Sequence, residues 1–232
     1  MTQRRKWTAI PGLVVLAAGA VILSAYSGAS SSQHRSPVQP INFPHPVHVQ
    51  KLGMNCLYCH FSANKSPDPG LPAVSTCIGC HNLVGPQRPA SDLGPARTST
   101  ELQKLYKFAD VAGMGAGMGA KAKPIPWVRI HKVPEYVHFP HMRHVNAGVT
   151  CQTCHGQIQN MDRVYQFSSL NMGWCVSCHV NGYSAKEGLE AAGYTAQQQA
   201  TPPPAAAGAV APADVQSGER KKARYDCANC HY

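Results

Sequence analysis

The sequence predicts a loop-rich fold with few short α-helices, almost no β-sheet and one N-terminal transmembrane helix. The chain has 232 residues, of which 20 are glycine and 19 are proline, and both residue types interrupt regular elements. Hydrophobic periodicity is weak over most of the chain, so long amphipathic elements do not supply the core. All ten cysteines fall in five copies of one pentapeptide, which indicates that a repeated short motif organises the fold.

The pentapeptide is Cys-x-x-Cys-His, and it occurs at 56–60, 77–81, 151–155, 175–179 and 227–231. This pattern is the attachment signature of c-type haem, in which both thiols bind the porphyrin and the histidine binds the iron from one side. Five haem c groups are therefore predicted, and their porphyrins would pack much of the core. The predicted thioether cysteines are Cys56, Cys59, Cys77, Cys80, Cys151, Cys154, Cys175, Cys178, Cys227 and Cys230. The predicted proximal iron ligands are His60, His81, His155, His179 and His231.

Zinc is the competing interpretation, because paired Cys-x-x-Cys motifs also form zinc ribbons. Seventeen residues separate Cys59 from Cys77 and 20 separate Cys154 from Cys175, and both gaps suit such a site. A site with four cysteine ligands needs no histidine after its second cysteine, yet a histidine stands there in all five copies. The fifth copy also lacks a partner pair, so haem is favoured.

The formal net charge of +10 raises nucleic acid as a potential partner. Five haems, however, bring about ten carboxylate charges on their propionates, and each ferric porphyrin returns about one positive charge. The basic balance therefore fits pairing with propionates, and no nucleic-acid partner is predicted.

The N-terminal region reads as a membrane anchor. Three basic residues at 4–6 precede an uncharged, mostly apolar run over 7–26. The run is long enough to span a bilayer, and the preceding charges favour a cytoplasmic N-terminal segment, 1–6. The alternative is a cleaved signal peptide with its cleavage region in the small residues 27–30.

An internal repeat divides the remaining chain. The unit Phe-Pro-His-x-x-His occurs at 43–48 and again at 139–144. In both places one pentapeptide follows after a short link and a second one follows further on. The repeat predicts two dihaem modules, at 41–84 and 127–185, preceded by a linker at 27–40.

A connector at 85–126 joins the modules. A capping box at 98–101 predicts a helix from about 99 to 110. The run at 112–120 alternates glycine with alanine and methionine, which is typical of a flexible loop. The predicted apolar face of the helix consists of Leu102, Leu105, Tyr106 and Ala109.

The C-terminal region has a different composition. Residues 186–218 are rich in alanine and proline, which predicts a linker. A tail at 219–232 then carries a basic run and the fifth pentapeptide. The fifth haem is therefore predicted to hang on a tether.

Spare histidines supply candidate distal ligands on the other side of each iron. Twelve histidines are present, and five of them are proximal ligands. Two pairs are spaced three apart, so both rings of a pair point to one side of a helical turn and should serve different haems. His34 follows a serine-rich stretch and is predicted to be solvated, and His138 has no counterpart in the first module, where Asn42 stands. The predicted distal ligands are His45, His48, His131, His141 and His144.

A methionine at one of the irons is the alternative. Met172, three residues before Cys175, and Met161 are the best placed. Core packing explains either residue equally well. A methionine ligand would raise the reduction potential of its haem and mark the electron exit.

The longer sequence strings carry a family resemblance. The repeat resembles the multihaem class III cytochromes, in which a His-x-x-His pair precedes the first haem motif. Strings at 123–134, 139–149 and 171–175 resemble the pentahaem cytochrome c subunit of bacterial alternative complex III, a quinol:electron-acceptor oxidoreductase. The resemblance covers about 41–182, together with the anchor and the haem count.

The resemblance implies partners and a location. The partners would be a large iron–sulfur subunit, polytopic membrane subunits that oxidise quinol, and a monohaem cytochrome c subunit. The chain would be single-pass in the inner membrane, with its haem domain on the periplasmic side. It would relay electrons to a periplasmic carrier or a terminal oxidase without binding quinol itself.

Electron transfer is therefore the favoured function, and the chain would not be an enzyme by itself. A multihaem reductase needs an iron with an open position, and such enzymes often vary one motif, whereas all five motifs here are standard. A stand-alone membrane-anchored quinol dehydrogenase is the other alternative. Its closely spaced haem motifs do not match the long step from Cys77 to Cys151.

Overall fold

The computed structural model describes residues 3–26, 32–91, 95–200 and 219–231. Its α-helices are α1 (Gln3–Tyr26), α2 (Cys56–Cys59), α3 (Val74–His81), α4 (Thr100–Ala109), α5 (His141–Asn146), α6 (Cys151–His155), α7 (Met172–Asn181), α8 (Ala185–Ala191), α9 (Ala196–Ala200) and α10 (Cys227–Cys230). A π-helix covers Pro46–Lys51, a 3₁₀-helix covers Ile158–Asn160, and β1 (Gln87–Arg88) pairs antiparallel with β2 (Arg97–Thr98). Short helices, one two-stranded sheet and long irregular connections confirm the predicted loop-rich fold class.

Helix α1 coincides with the run predicted to be a membrane anchor. It contains the three basic residues at 4–6 and also Pro11. Within the part of the chain that the structure describes, no helix combines the length and the apolar character needed to cross a membrane. The predicted transmembrane anchor over 7–26 is thus not supported.

Helix α4 is the predicted connector helix, and its apolar face is confirmed. Its start differs from the prediction, because Ser99 is the N-cap and its hydroxyl accepts a hydrogen bond from the Leu102 amide at 3.2 Å. The predicted capping box placed the cap one residue earlier. Glu101 does not complete a box here, since its carboxylate accepts a 2.6 Å hydrogen bond from the Asn42 amide and pairs with Lys104 at 2.7 Å. The acidic residue therefore ties the connector to the first module.

A small hydrophobic core holds α3, which carries the second pentapeptide, against α4. The Tyr106 hydroxyl also donates a hydrogen bond to the His81 carbonyl at 2.6 Å. These contacts fix the second motif relative to the connector. The buried members of the cluster are Ile41, Val74, Ile78, Leu105, Tyr106, Ala109 and Ile125.

The glycine- and methionine-rich run at 112–120 forms no helix or strand, as predicted. It is nevertheless joined to its surroundings by backbone hydrogen bonds, from Gly115 to the Asn82 carbonyl at 2.9 Å and from Gly119 to the Ala109 carbonyl at 3.1 Å. The loop thus folds over the C-terminal end of the second motif.

The internal repeat is structural as well as sequential. Phe43 stacks on His48 with ring centroids 4.3 Å apart and meets His45 edge-on at 5.0 Å. Phe139 stacks on His144 at 4.4 Å and meets His141 edge-on at 4.9 Å. In both units the second histidine contacts the carbonyl of the proline through Nδ1 at 3.1 Å. The phenylalanine therefore orients both rings of each pair.

The first part of the predicted 186–218 linker is helical instead. Helix α8 buries Leu189 completely, next to Ala185, Ala192 and Tyr194. An alanine-rich composition suits a packed helix as well as a linker, and the apolar face of α8 has α6 to pack against. The remainder of the predicted linker, 201–218, lies outside the described residues.

Replacing Leu105 by alanine is expected to destabilise the haem-loaded protein by about 3 kcal/mol, because a buried leucine leaves both lost burial and a cavity. Guanidinium unfolding followed by far-UV circular dichroism measures this change. Gln103→Ala on the exposed side of α4 is the matched control, with an expected change below about 0.5 kcal/mol. Equal effects of both variants would contradict this core assignment.

Candidate haem-binding sites

Each pentapeptide lies wholly or mainly within an α-helix. The motifs occupy α2, the C-terminal half of α3, α6, the centre of α7 and α10. Side-chain caps begin two of these helices, because Asn55 accepts a hydrogen bond from the Leu57 amide at 2.8 Å and Asn171 accepts one from the Trp174 amide at 2.7 Å. A helical turn places residues i and i+3 on one side. Both cysteines of a motif therefore lie on one side of their helical turn, as attachment to a single porphyrin would require.

Three proximal histidines are oriented by backbone carbonyls. His60 contacts the Gly70 carbonyl through Nδ1 at 2.8 Å, His81 contacts Val84 at 3.0 Å, and His179 contacts Arg224 at 2.5 Å. A carbonyl oxygen can only accept a hydrogen bond, so Nδ1 carries the hydrogen and donates that bond in each case. In the neutral ring the other nitrogen, Nε2, is then available to bind a metal.

Two proximal histidines stand opposite a predicted distal histidine at the separation expected across an iron. The ring centroids of His48 and His81 are 6.1 Å apart, and those of His144 and His179 are 6.0 Å apart. Metal–nitrogen bonds of about 2 Å on both sides of one ion place two imidazole centroids about 6 Å apart. The residues at the second and fourth motifs therefore fit a haem iron with two histidine ligands.

The third motif lies against His131. The Nδ1 atom of His155 and the Nε2 atom of His131 are 3.2 Å apart, and the ring centroids are 4.3 Å apart. The two rings must separate and His155 must turn before both face one iron.

The residue after the third motif has a left-handed backbone conformation, because Gly156 has φ +68°. A Cβ at this position would lie 2.7 Å from the Phe167 ring. Only glycine fits this position.

Two predicted distal histidines approach the first motif. Burial lowers the pKa of His45 to about 4, and the neighbouring His60 acts in the same direction. Burial also lowers the pKa of His141, again with a contribution from His60. His141 reaches the first module because its Nδ1 donates to the Pro67 carbonyl at 2.9 Å. The first motif thus has one candidate from each module.

All five predicted distal histidines are held in the form that binds iron. Burial is the main cause that lowers the pKa of each, because it disfavours the charged ring. The neutral imidazole is the metal ligand. The residues in question are His45, His48, His131, His141 and His144.

The fifth motif contacts the start of the second module. Tyr136 stacks on His231 with centroids 5.7 Å apart, and Val137 forms a β-bridge with His231. The His138 amide donates a hydrogen bond to the Cys230 carbonyl at 2.8 Å. His138, which sequence reasoning set aside, therefore lies beside the fifth motif. Its position depends on pairing between segments more than 90 residues apart, for which the sequence offers no signal.

The candidate methionines occupy different environments. Met161 is buried next to the 3₁₀-helix, whereas Met172 is 66% exposed at the start of α7. The fourth motif, just after Met172, already faces His144. The geometry therefore favours histidine over Met172 at this site.

Apolar side chains beside the motifs are unusually exposed. Phe61, next to the first motif, is 58% exposed, and Leu83, next to the second, is 76% exposed. Both side chains are available to a ligand held at the neighbouring motif. The flat face of a porphyrin held by the adjacent cysteines would cover them.

A bare metal ion is the other ligand that the cysteine and histidine side chains of the motifs could bind. Across 3–26, 32–91, 95–200 and 219–231, no group of three or more His, Cys, Asp or Glu side chains is arranged to hold a bare metal ion. A covalently held porphyrin requires no such group, since only the axial ligands come from the protein.

No protein-family model matches the chain. The chain is similar to the multihaem cytochrome c subunit of menaquinone reductase from Nitratidesulfovibrio vulgaris (strain Hildenborough). The two are 27% identical over 163 residues, which cover 62% of this chain and 68% of that protein. The similarity supports a multihaem cytochrome c that acts in quinone-linked electron transfer, with c-type haem as its cofactor.

Replacing His48 by alanine is expected to leave the second iron with one protein ligand, and so to convert one haem to a high-spin form that binds carbon monoxide. Carbon monoxide difference spectra of the haem-loaded protein measure this change. His34→Ala is the control, because His34 is predicted to bind no haem. Equal carbon monoxide binding by both variants would contradict the assignment.

Proposed function

We propose that this chain is an electron-transfer subunit that carries five haem c groups in a quinone-linked respiratory complex. The observation that supports the proposal most directly is the 6 Å opposition of His48 to His81 and of His144 to His179. Irons closed by two protein ligands exchange electrons but offer no position for a substrate. The chain would then relay electrons without performing the quinone chemistry.

The contacts described above support the following ligand pairs. The second haem takes His81 and His48, the fourth takes His179 and His144, and the third takes His155 and His131. At the first haem, His60 is joined by His45 or by His141. At the fifth haem, His231 has His138 nearby, and Met161 is the remaining methionine candidate at one haem.

Each haem, when bound, would supply a one-electron carrier whose potential depends on its axial ligands and burial. The protein residues have the remaining tasks. The Pro44 and Pro140 carbonyls hold Nδ1 of His48 and His144, and Phe43 and Phe139 stack on those rings. Both distal rings are thereby fixed before an iron is bound, which keeps the change in geometry on electron transfer small.

Two candidate complexes differ in the direction of electron flow. The sequence strings at 123–134, 139–149 and 171–175 favour alternative complex III, in which electrons leave quinol for a periplasmic carrier or a terminal oxidase. The similarity to a menaquinone reductase subunit favours a complex in which electrons reach the quinone. In either complex we expect the haems to lie outside the cytoplasm and a separate subunit to react with the quinone. Alternative complex III would add an iron–sulfur subunit and a monohaem cytochrome c subunit.

The haem content tests the proposal directly. The intact mass of the purified protein is expected to exceed that of the polypeptide by five haem groups. Electron paramagnetic resonance and near-infrared spectra are expected to show low-spin iron throughout, and the unchanged protein should bind no carbon monoxide. A native high-spin haem that binds carbon monoxide would instead favour a multihaem reductase.

The direction is tested on the intact complex isolated from native membranes through a tag on this chain. Oxidation of a menaquinol analogue with reduction of these haems supports quinol oxidation. Reduction of the quinone by pre-reduced haems, with no reaction in the other direction, supports the reductase. Isolation of the chain without any quinone-reactive partner would contradict both complexes and favour the stand-alone dehydrogenase.

A further inference from the structure

The first and third motifs are in direct contact, although 90 residues separate them in the chain. The sulfur atoms of Cys56 and Cys151 lie within hydrogen-bonding distance of each other. Each sulfur would hold one edge of a porphyrin. The edges of the first and third haems would then lie next to each other.

Other contacts hold the two modules together at the same place. The His141 amide donates to the Pro67 carbonyl at 3.0 Å and the Met142 amide donates to the Ser66 carbonyl at 3.2 Å. The Asn146 side chain donates to the Asn64 carbonyl at 3.1 Å. The loop after the first motif is thus fastened to α5, immediately before the third motif.

The second motif lies beside the first. The π-helix at Pro46–Lys51 joins them, because its His48 lies near His81 with ring centroids 6.1 Å apart. The Met54 amide, just before the first motif, donates to the carbonyl of the same His48 at 3.1 Å. The connector core packs on α3 and the glycine loop bonds to the Asn82 carbonyl, so both lie against the second motif.

The fourth motif follows the third. The Ser168 hydroxyl, just before α7, donates to the Thr153 carbonyl inside the third motif at 3.3 Å. The Tyr183 hydroxyl, just after α7, accepts a hydrogen bond from the Thr150 amide, just before α6, at 3.0 Å. The third and fourth motifs are therefore close in space.

The fifth motif is attached to the fourth. His179 Nδ1 donates to the Arg224 carbonyl at 2.5 Å. Tyr183 and Lys221 form a β-bridge with backbone hydrogen bonds of 2.9 and 2.8 Å. The tail that carries the fifth motif is thereby attached to this chain beside the fourth motif.

We propose that the five haems form one unbranched wire in the order second, first, third, fourth, fifth, with the junction between the modules at Cys56 and Cys151. The order rests on the proposed five-haem relay and differs from the order along the chain. One electron passes at each junction, oxidising one iron and reducing the next, with no bond made or broken. The two ends of the wire, at the second and fifth haems, are the sites that exchange electrons with partners.

The order is tested by deleting one haem at a time. The variant C77S/C80S lacks the second haem and the variant C56S/C59S lacks the first. A ruthenium photosensitiser ligated to the C-terminus injects electrons at the fifth haem during successive flashes with a sacrificial donor. The readout is the number of haem equivalents reduced within the fast phase, at a protein concentration that excludes transfer between molecules.

The proposed order predicts four fast haem equivalents in C77S/C80S, because only an end of the wire is missing. It predicts three in C56S/C59S, because the second haem is then cut off. The order along the chain predicts the reverse, three in C77S/C80S and four in C56S/C59S, and that result would overturn the proposal. Equal counts in both variants would also overturn it.

Two measurements separate this inference from the proposed function. Intact mass counts the haems of the unchanged protein first, so a count other than five refutes the relay and not merely the order. Should a deletion variant fail to fold, nuclear Overhauser contacts between haem substituents in the reduced, unchanged protein replace it. Contacts between the first and third haems support the order, whereas contacts between the second and third overturn it.

Discussion

Pairing of two imidazole rings with centroids about 6 Å apart is the constraint on which the arrangement of this chain depends. Each pair joins a histidine fixed next to two cysteines to one that arrives from another segment. The carbonyls that hold Nδ1 select the tautomer, and burial keeps the distal rings neutral. A ring with the wrong tautomer, or a charged ring, would not bind iron.

The sparse protein core follows from this constraint. The buried cluster around Leu105 and the smaller one around Leu189 are modest for a chain of 232 residues. Phe61 and Leu83 remain open to solvent beside their motifs. In the haem-loaded protein, porphyrins attached to the short helices would cover these side chains. Their attachment would replace the packing that long helices otherwise supply, which agrees with a loop-rich fold.

Local features could be predicted from the sequence because they depend on neighbouring residues. The apolar face of α4, the irregular glycine loop and the repeated Phe-Pro-His-x-x-His unit all have the predicted form. Errors arose where a distant partner intervened. The Glu101 carboxylate accepts a hydrogen bond from the backbone amide of Asn42 and does not cap its own helix. Helix α8 forms within the predicted linker because it packs against α6.

The sequence by itself determined where haem can be attached and which histidines are available, because Cys-x-x-Cys-His and His-x-x-His act through spacing within a single turn. Only the tertiary structure decided which motifs are neighbours. The Cys56–Cys151 contact, the docking of the tail on His179 and the placement of His138 beside Cys230 each join segments far apart in the chain. Such contacts depend on how whole modules pack, and no periodicity or spacing in the sequence encodes them.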